Sequence, residues 1–219
     1  MIFNRLITSR IKKFLFIQEI NRVIIDPQIL LNNQNDILQR LVYLWGNEGW
    51  SGLSSYLLAC LNHTEKANGY VLECGSGLST ILMGIIAKTK DVKIVSLENS
   101  KKWKNRTDWY LNHFNLNNVS IKYTPIVERG NYQWYNIEKN SIPEKVSLVI
   151  LDGPPGDIKG GRTGFFPECK DFISRDTVIL VDDVIRKDEM QMVIEFSTSM
   201  DFRYDITDGD KPFATMIKN

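Results

Sequence analysis

Residues 70–77 read Tyr-Val-Leu-Glu-Cys-Gly-Ser-Gly: a short apolar run, an acid, then a turn on two glycines, with the helix-forming stretch Leu78–Lys88 behind it. Glycines at the carboxyl end of a strand let the backbone approach a ligand, and the next helix presents its N-terminus to it. Two familiar versions of this turn are excluded. A dinucleotide fingerprint needs a third glycine where Thr80 stands, and a P-loop needs a Gly-Lys-Ser/Thr that does not follow. Glu73, two residues before Gly75, is a poor neighbour for a pyrophosphate and a good one for a cationic ligand bearing an ammonium and a sulfonium. The next apolar run ends at Leu97-Glu98. A carboxylate there, at the right distance from the glycine turn, can accept both hydroxyls of a ribose.

Working outward, β-rich apolar runs occur at Tyr70–Leu72, Val92–Leu97, Val119–Tyr123, Val146–Leu151, Thr177–Val181, Phe202–Ile206 and Phe213–Ile217. Helix-compatible stretches lie at Leu78–Lys88, Lys101–Phe114, Phe165–Ser174 and Lys187–Thr198, while the segment around Trp134–Ile137 is less regular. Strands alternating with helices predict a mostly parallel sheet covered on both faces. The near-continuous apolar character of Val-Ser-Leu-Val-Ile-Leu and Thr-Val-Ile-Leu-Val suits strands buried on both sides. The last two runs are joined by residues 207–212, too short for a helical crossover, and are expected to pair antiparallel. Residues 1–67 form a helical extension, with helices expected at Asp36–Trp45 and Gly52–Leu61, ahead of a cofactor domain at 68–219.

Glu73-Cys74-Gly75-Ser76-Gly77, Glu98 and the order of the seven runs resemble the class I S-adenosylmethionine-dependent methyltransferases. The resemblance implies a Rossmann-like sheet of order 3-2-1-4-5-7-6 with strand 7 antiparallel. It also implies that the Gly75-Ser76-Gly77 turn meets the methionine part of the cofactor. Glu98 would hold the ribose, and the adenine would lie near Asn99 and the Thr124-Pro125 turn.

The fourth run ends Leu151-Asp152-Gly153-Pro154-Pro155-Gly156-Asp157. Asp152 thus stands at the carboxyl end of a buried strand, where α/β sheets place ligands. Amino-methyltransferases of nucleic acids often carry Asp/Asn-Pro-Pro-aromatic here; Gly153 intervenes and Gly156 replaces the aromatic, so the stack on a flipped base is missing and a nucleic-acid substrate is disfavoured. The fifth run ends Asp182-Asp183. Three converging carboxylates repel unless partnered, and a divalent cation such as Mg²⁺ is one solution. The arrangement looks like that of catechol-type O-methyltransferases, with Asp183 in place of their Asn; a metal held by Asp152, Asp182 and Asp183 would orient an acceptor hydroxyl and lower its pKa. The alternative is that Asp182 or Asp183 caps the next helix while Asp152 binds the cofactor ammonium.

Methyl transfer is an in-line displacement, so placement does most of the catalysis. Asp152 is the first candidate for a charged role at the acceptor. Lys159 resembles a lysine that follows the fourth strand in catechol-type enzymes, at longer spacing. Arg162, in a glycine-rich loop, is either a partner for an anionic substrate or a solvated charge. Trp50, in the run Trp45-Gly46-Asn47-Glu48-Gly49-Trp50-Ser51, suits an acceptor wall or lid, or the packing of the N-terminal helices. The sequence points to an S-adenosylmethionine-dependent O-methyltransferase of a small-molecule or sugar-like acceptor. A metal-independent N-methyltransferase and a non-catalytic cofactor-binding partner are the alternatives.

The chain's 219 residues allow one α/β domain, and 43% hydrophobic and 24% charged residues with a net charge of +1 supply no global field toward nucleic acid. Three scattered cysteines, with no Cys-x-x-Cys, support neither a zinc site nor a disulfide framework and fit a reduced, cytoplasmic setting. No run is long enough to span a bilayer. Residues 1–20 make a basic amphipathic helix that either packs over the domain or a second subunit, in a homodimer, or touches a membrane surface.

Overall fold

The computed structural model describes residues 2–32, 36–46, 52–138, 141–143 and 145–219, with side chains from residue 8 onward. Its centre is a seven-stranded sheet. The strands are β1 (Tyr70–Cys74), β2 (Lys93–Glu98), β3 (Val119–Tyr123), β6 (Val146–Leu151), β7 (Ile173–Val181), β8 (Phe202–Thr207) and β9 (Phe213–Lys218), in the order β3-β2-β1-β6-β7-β9-β8. All neighbours are parallel except β9, which runs antiparallel to both β7 and β8. This is the order 3-2-1-4-5-7-6 that the resemblance implies, and the winding order, not the strand direction, reverses between the parallel neighbours β1 and β6.

Alternation along the strands divides the core in two. Val71, Ile94, Leu148, Ile150 and Leu180 face a cluster with the helices α1 (Ile2–Ile25), α2 (Ile37–Trp45), α3 (Ser54–Lys66), α4 (Leu78–Lys88) and α5 (Lys101–His113). Leu72, Val149, Leu151, Ile179 and Val181 face the opposite cluster, built with α6 (Phe165–Cys169), α7 (Lys187–Met200) and the short hairpin β4 (Ile126–Glu128)–β5 (Gln133–Tyr135). Helix α4 is apolar nearly all round, and Leu78 through Ala87 are buried, as a helix sandwiched between a sheet and other helices must be.

The N-terminal helices belong to the first cluster. Phe16, Ile20 and Val23 project from one side of α1 at helical spacing and are buried; the Phe16 ring lies 5.4 Å from that of Trp45 and 5.1 Å from that of Tyr110. Position 68 therefore marks a change from helix to strand within a continuous core. Helix α2 ends at Gly46, whose φ of 73° lets its N–H return to the Val42 carbonyl at 3.3 Å.

Two stretches differ from the sequence expectation. Residues 165–174 are not one helix: α6 stops at Cys169, a 3₁₀ turn covers Lys170–Phe172, and β7 begins at Ile173, which pairs with Val146. The register shift that follows is closed by a local turn in which Thr177 Oγ1 accepts from the Ser174 N–H at 2.9 Å and donates to the Val146 carbonyl at 2.6 Å. Between β3 and β6 the crossover carries the hairpin β4–β5, which buries Trp134 and Tyr135 completely. β-Branched Ile126 and Val127 against Trp134 and Tyr135 favour cross-strand pairing over a helix.

Candidate active site

The carboxyl ends of β1, β2, β6 and β7 are stapled to one another. Gly75 N–H donates to the Leu97 carbonyl (2.9 Å), Asp152 and Gly153 N–H groups to the Cys74 carbonyl (3.1 and 2.6 Å), and Asp182 N–H to the Leu151 carbonyl (3.0 Å). At the crest the first and fourth turns touch. Gly75 has φ 95°, and a Cβ there would lie 2.9 Å from the Gly153 nitrogen; a Cβ on Gly153 would lie 2.5 Å from the Tyr135 hydroxyl and 2.9 Å from Gly75 Cα. Both positions are glycine because two backbones occupy the space of a side chain.

A cleft of about 260 Å³ opens above this contact, lined by Gly75, Ser76, Glu98, Asn99, Tyr135 and Asp152, among others. It is just below the roughly 300–1,000 Å³ of small-molecule sites and is open on one side. Glu98 sits at its wall with both oxygens engaged: Oε2 accepts from the Ser76 N–H (3.0 Å) and hydroxyl (2.7 Å), Oε1 from the Ser100 N–H (2.7 Å). Ser100 in turn caps α5, accepting from the Trp103 N–H at 3.3 Å. Thr124 N–H donates to the Glu98 carbonyl at 2.8 Å, which brings the Thr124-Pro125 turn to the same end of the sheet.

Glu73 is placed differently from the expectation that it faces a cationic ligand. It is wholly buried and turned under the glycine loop, where the Ser79 and Thr80 hydroxyls donate to its two oxygens at 2.7 and 2.6 Å. Thr80 Oγ1 also accepts from the Gly77 N–H at 2.8 Å, so Glu73 fixes the loop through that hydroxyl. Burial pushes its carboxyl up to about 7, against the hydrogen bonds from Ser79, Ser96 and Thr80.

Beside the cleft the three aspartates converge as expected: oxygens of Asp152, Asp182 and Asp183 come within 4.8 Å of one another. Arg162 is neither solvated nor free for a substrate. It is 1% exposed and inserted among the three, donating to the Asp182 carbonyl, to the Asp152 carbonyl at 2.8 Å and to Asp183 Oδ2 at 3.4 Å, with Asp152 Oδ1 at 3.7 Å. Asp183 further meets Arg186 at 2.9 Å and Lys211 at 3.3 Å. Burial, then Asp182, push the Asp152 carboxyl well above the ordinary carboxylate range, with Arg162 opposing; burial, then Asp183, push Asp182 up as well. Like charges this close disfavour joint ionisation.

A resident divalent cation does not fit this cluster. The donor atoms are those a Mg²⁺ would choose, but their charge is already met by a guanidinium in their midst and by two further cations on Asp183. A dication would have to displace Arg162 from two backbone carbonyls or sit against it. Neither Asp182 nor Asp183 caps the following helix: α7 begins at Lys187 with Arg186 in the cap position.

Lys159 points elsewhere. Its Nζ donates to the Gly130 carbonyl at 2.6 Å and its backbone N–H to Gln133 Oε1 at 3.0 Å, tying the exposed loop to the β4–β5 hairpin. Trp50 lies outside the described residues. Gly156, where an aromatic would be needed for a flipped base, is overlaid by the Arg186 side chain. Ser100, which the sequence did not single out, lines the cleft together with Tyr135, one of three aromatics (Tyr132, Trp134, Tyr135) in the irregular segment after β3, and Trp103, the aromatic of the basic run 101–106. Tyr135 Oη is buried with no hydrogen-bond partner, as are Tyr56 Oη and Asp182 Oδ1 nearby.

No family model matches the sequence, and no curated protein matches it. Solved structures do match the fold. A Staphylococcus aureus protein assigned as a caffeoyl-CoA O-methyltransferase superposes with a TM-score of 0.61 at 14% identity, over 95% of this chain and 99% of that one. An O-methyltransferase from Bacillus cereus in complex with S-adenosylhomocysteine gives 0.59 at 16% identity, over 83% and 90%. An S-adenosylhomocysteine-bound methyltransferase from Podospora anserina gives 0.60 at 12% identity, over 78% and 81%. The chain therefore has the Rossmann-like fold of class I methyltransferases.

Proposed function

We propose that the protein is an S-adenosylmethionine-dependent methyltransferase that transfers a methyl group to an oxygen of a small-molecule acceptor and needs no divalent cation. The carrying observation is the crest cleft, where a carboxylate at the end of β2 is held at the wall by the glycine-turn amide. Glu98 would exchange its bonds to Ser76 Oγ and the Ser100 amide for the two ribose hydroxyls. The Gly75–Gly77 turn would receive the methionine portion, and Asn99 and the Thr124-Pro125 turn the adenine. S-Adenosylmethionine supplies an activated methyl carbon when bound. That carbon would pass in line to the acceptor oxygen, with the electron pair of the broken S–C bond left on sulfur.

The protein's remaining task is to place the acceptor and take its proton. Asp152, with 16% of its side chain exposed, is the face that the buried cluster shows to the cleft. The Asp152–Asp182 pair, whose carboxyls burial pushes above their ordinary range, is where a hydroxyl proton would go. That favours oxygen over an amine that attacks without prior proton loss. Arg162 opposes the rise and so favours the charged form that would accept the proton. Three free, buried cysteines suit a reducing, cytoplasmic setting, and no described helix is long and apolar enough to cross a membrane.

Calorimetry with S-adenosylmethionine and S-adenosylhomocysteine, with and without a chelator, tests this reading. One ligand per chain, with affinity unchanged by the chelator, is expected. No heat at millimolar ligand removes the assignment. Binding without methyl gain in any pool of hydroxylated metabolites leaves a cofactor-binding protein in place of an enzyme.

A further inference from the structure

A second concavity lies on the far side of α5 from the cofactor cleft, between α1, α2 and α5. It encloses about 560 Å³, and Lys12, Lys13, Trp45, Arg106, Trp109 and Tyr110 line it. Its charge is one-sided. Among the described residues, no carboxylate lies within ion-pair distance of Lys12, Lys13 or Arg106. The nearest acids along the same helices are spent: Glu19 on Arg22 and Arg40, Asp108 on Lys104.

The three cations rest on rings and carbonyls. Lys13 Nζ is 3.6 Å from the Trp109 ring centre, and Lys12 Nζ is 3.6 Å from that of Tyr43 and donates to the Tyr43 carbonyl at 3.3 Å. The Arg106 guanidinium lies 4.0 Å from the Trp45 ring, 4.8 Å from the Trp103 ring, and donates to the Trp45 carbonyl. Ring faces and carbonyls hold a cation in place while leaving its charge uncancelled. Three like charges around one hollow repel one another and create a positive potential that an anion would relieve.

We propose that this hollow is a binding site for a phosphate group carried on a planar or apolar body. The phosphate would be met by Lys12, Lys13 and Arg106, and the body by Trp45, Trp109 and Tyr110. Concavity argues for a compact ligand over an extended polyanion, which would need a stripe of charge along the surface. The phosphate comes from one of two sources. A free organic phosphate would use the rings alone. A lipid headgroup would also use Ile11 and Phe14, which stand 53% and 60% exposed on α1 beside the two lysines. The wall toward the cofactor cleft is shared: Trp103 lines that cleft and stacks on Trp45 with ring centres 6.2 Å apart.

The test uses the full chain saturated with S-adenosylhomocysteine, so that the cofactor cleft is filled if it takes that ligand. Inorganic pyrophosphate and uridine diphosphate are titrated by calorimetry at low salt. Phosphatidylcholine vesicles with and without phosphatidic acid are followed by flotation. Binding of either soluble probe, weakened about tenfold or more for each cation removed in Lys12→Gln/Lys13→Gln and Arg106→Gln, supports the site with a free phosphate as ligand. Binding only to vesicles with phosphatidic acid, lost in the lysine double variant and in Phe14→Ser, supports it with a lipid headgroup. The lysines and Phe14 are exposed enough that these variants fold. Absence of binding to every probe at millimolar phosphate, or binding that the lysine double variant leaves unchanged, overturns the proposal.

Discussion

Replacing Arg162 by Met keeps the stem and removes the buried guanidinium that reaches both Asp152 and Asp183. The side chain is 1% exposed, and its charge pairs with Asp152 Oδ1 at 3.7 Å and Asp183 Oδ2 at 3.4 Å while it donates to the Asp182 carbonyl. Removing one partner of a buried ion pair costs about 3–5 kcal/mol, because the other is left uncompensated. Here the loss is moderated, since Arg186 and Lys211 still hold Asp183. The lower half of that range, about 3–4 kcal/mol, is therefore expected at pH 7, a fall in melting temperature of about 6–16 °C for a chain of this size. The loss must depend on pH in a definite direction. Asp152 and Asp182 already titrate above their ordinary range, and without Arg162 they rise further. A carboxyl raised in the native state favours folding below its unfolded value, and that advantage drains away as pH rises through the folded one. The gap between wild type and variant should accordingly be small near pH 4 and widen toward pH 8. Urea denaturation at several pH values reads this. Adding Mn²⁺ gives a second measurement: millimolar metal should stabilise Arg162→Met, whose cluster would keep cations only on Asp183, and leave wild type unmoved. A variant less than about 1 kcal/mol weaker at pH 7, or a wild type stabilised by Mn²⁺ as much as the variant, would refute the view that Arg162 stands where a metal would.

If Glu98 holds the ribose as proposed, Glu98→Gln loses the charge behind those bonds, worth about 1.5–3 kcal/mol, and should weaken S-adenosylhomocysteine binding by roughly ten- to a hundredfold in calorimetry, with the melting temperature little changed. Glu73, pushed up to about 7 from 4.5, favours the fold fully below pH 4.5 and loses that contribution by pH 7, so Glu73→Gln should flatten a slope of roughly 3 kcal/mol between those values in denaturation curves. Tyr135→Phe removes a buried hydroxyl that has no partner, and should leave unfolding within about 0.5 kcal/mol while weakening cofactor binding several-fold. Lys159→Ala cuts only a loop-to-hairpin bond and should leave cofactor affinity and turnover at wild-type values; a tenfold drop in turnover would restore the lysine to the reaction.

The sheet was legible because its evidence is local and periodic. Apolar runs such as Val146–Leu151 bury both faces, and residues 207–212 are too few for anything but a reversal. Glu98 was legible for a similar reason, since a strand end fixes where a side chain emerges. Arg162 was not. In sequence it is a charge among glycines, and only the long return of its loop brings it ten residues back to Asp152 and twenty forward to Asp182. A burial set by two separate strand ends, those of β6 and β7, leaves no periodic trace. Lys159 failed for the complementary reason: the hairpin that captures it is irregular in sequence, so its competing acceptor, the Gly130 carbonyl, could not be foreseen. Tyr135 carried a faint signal as one of three aromatics after β3, but whether such a ring packs or faces a cleft depends on the register of a pairing with Ile126.

The meeting of Gly75 and Gly153 has a consequence for how such a chain can vary. One glycine belongs to the β3-β2-β1 half of the sheet and the other to the half that begins with β6, and nothing but main chain separates them. A methyl group gained on either loop would wedge the halves apart beneath the cofactor floor. No loss on the opposite loop could make room, because there is no side chain there to give up. Along the rest of the seam one buried side chain can shrink as its neighbour grows; at this crossing there is only main chain, so that exchange is closed.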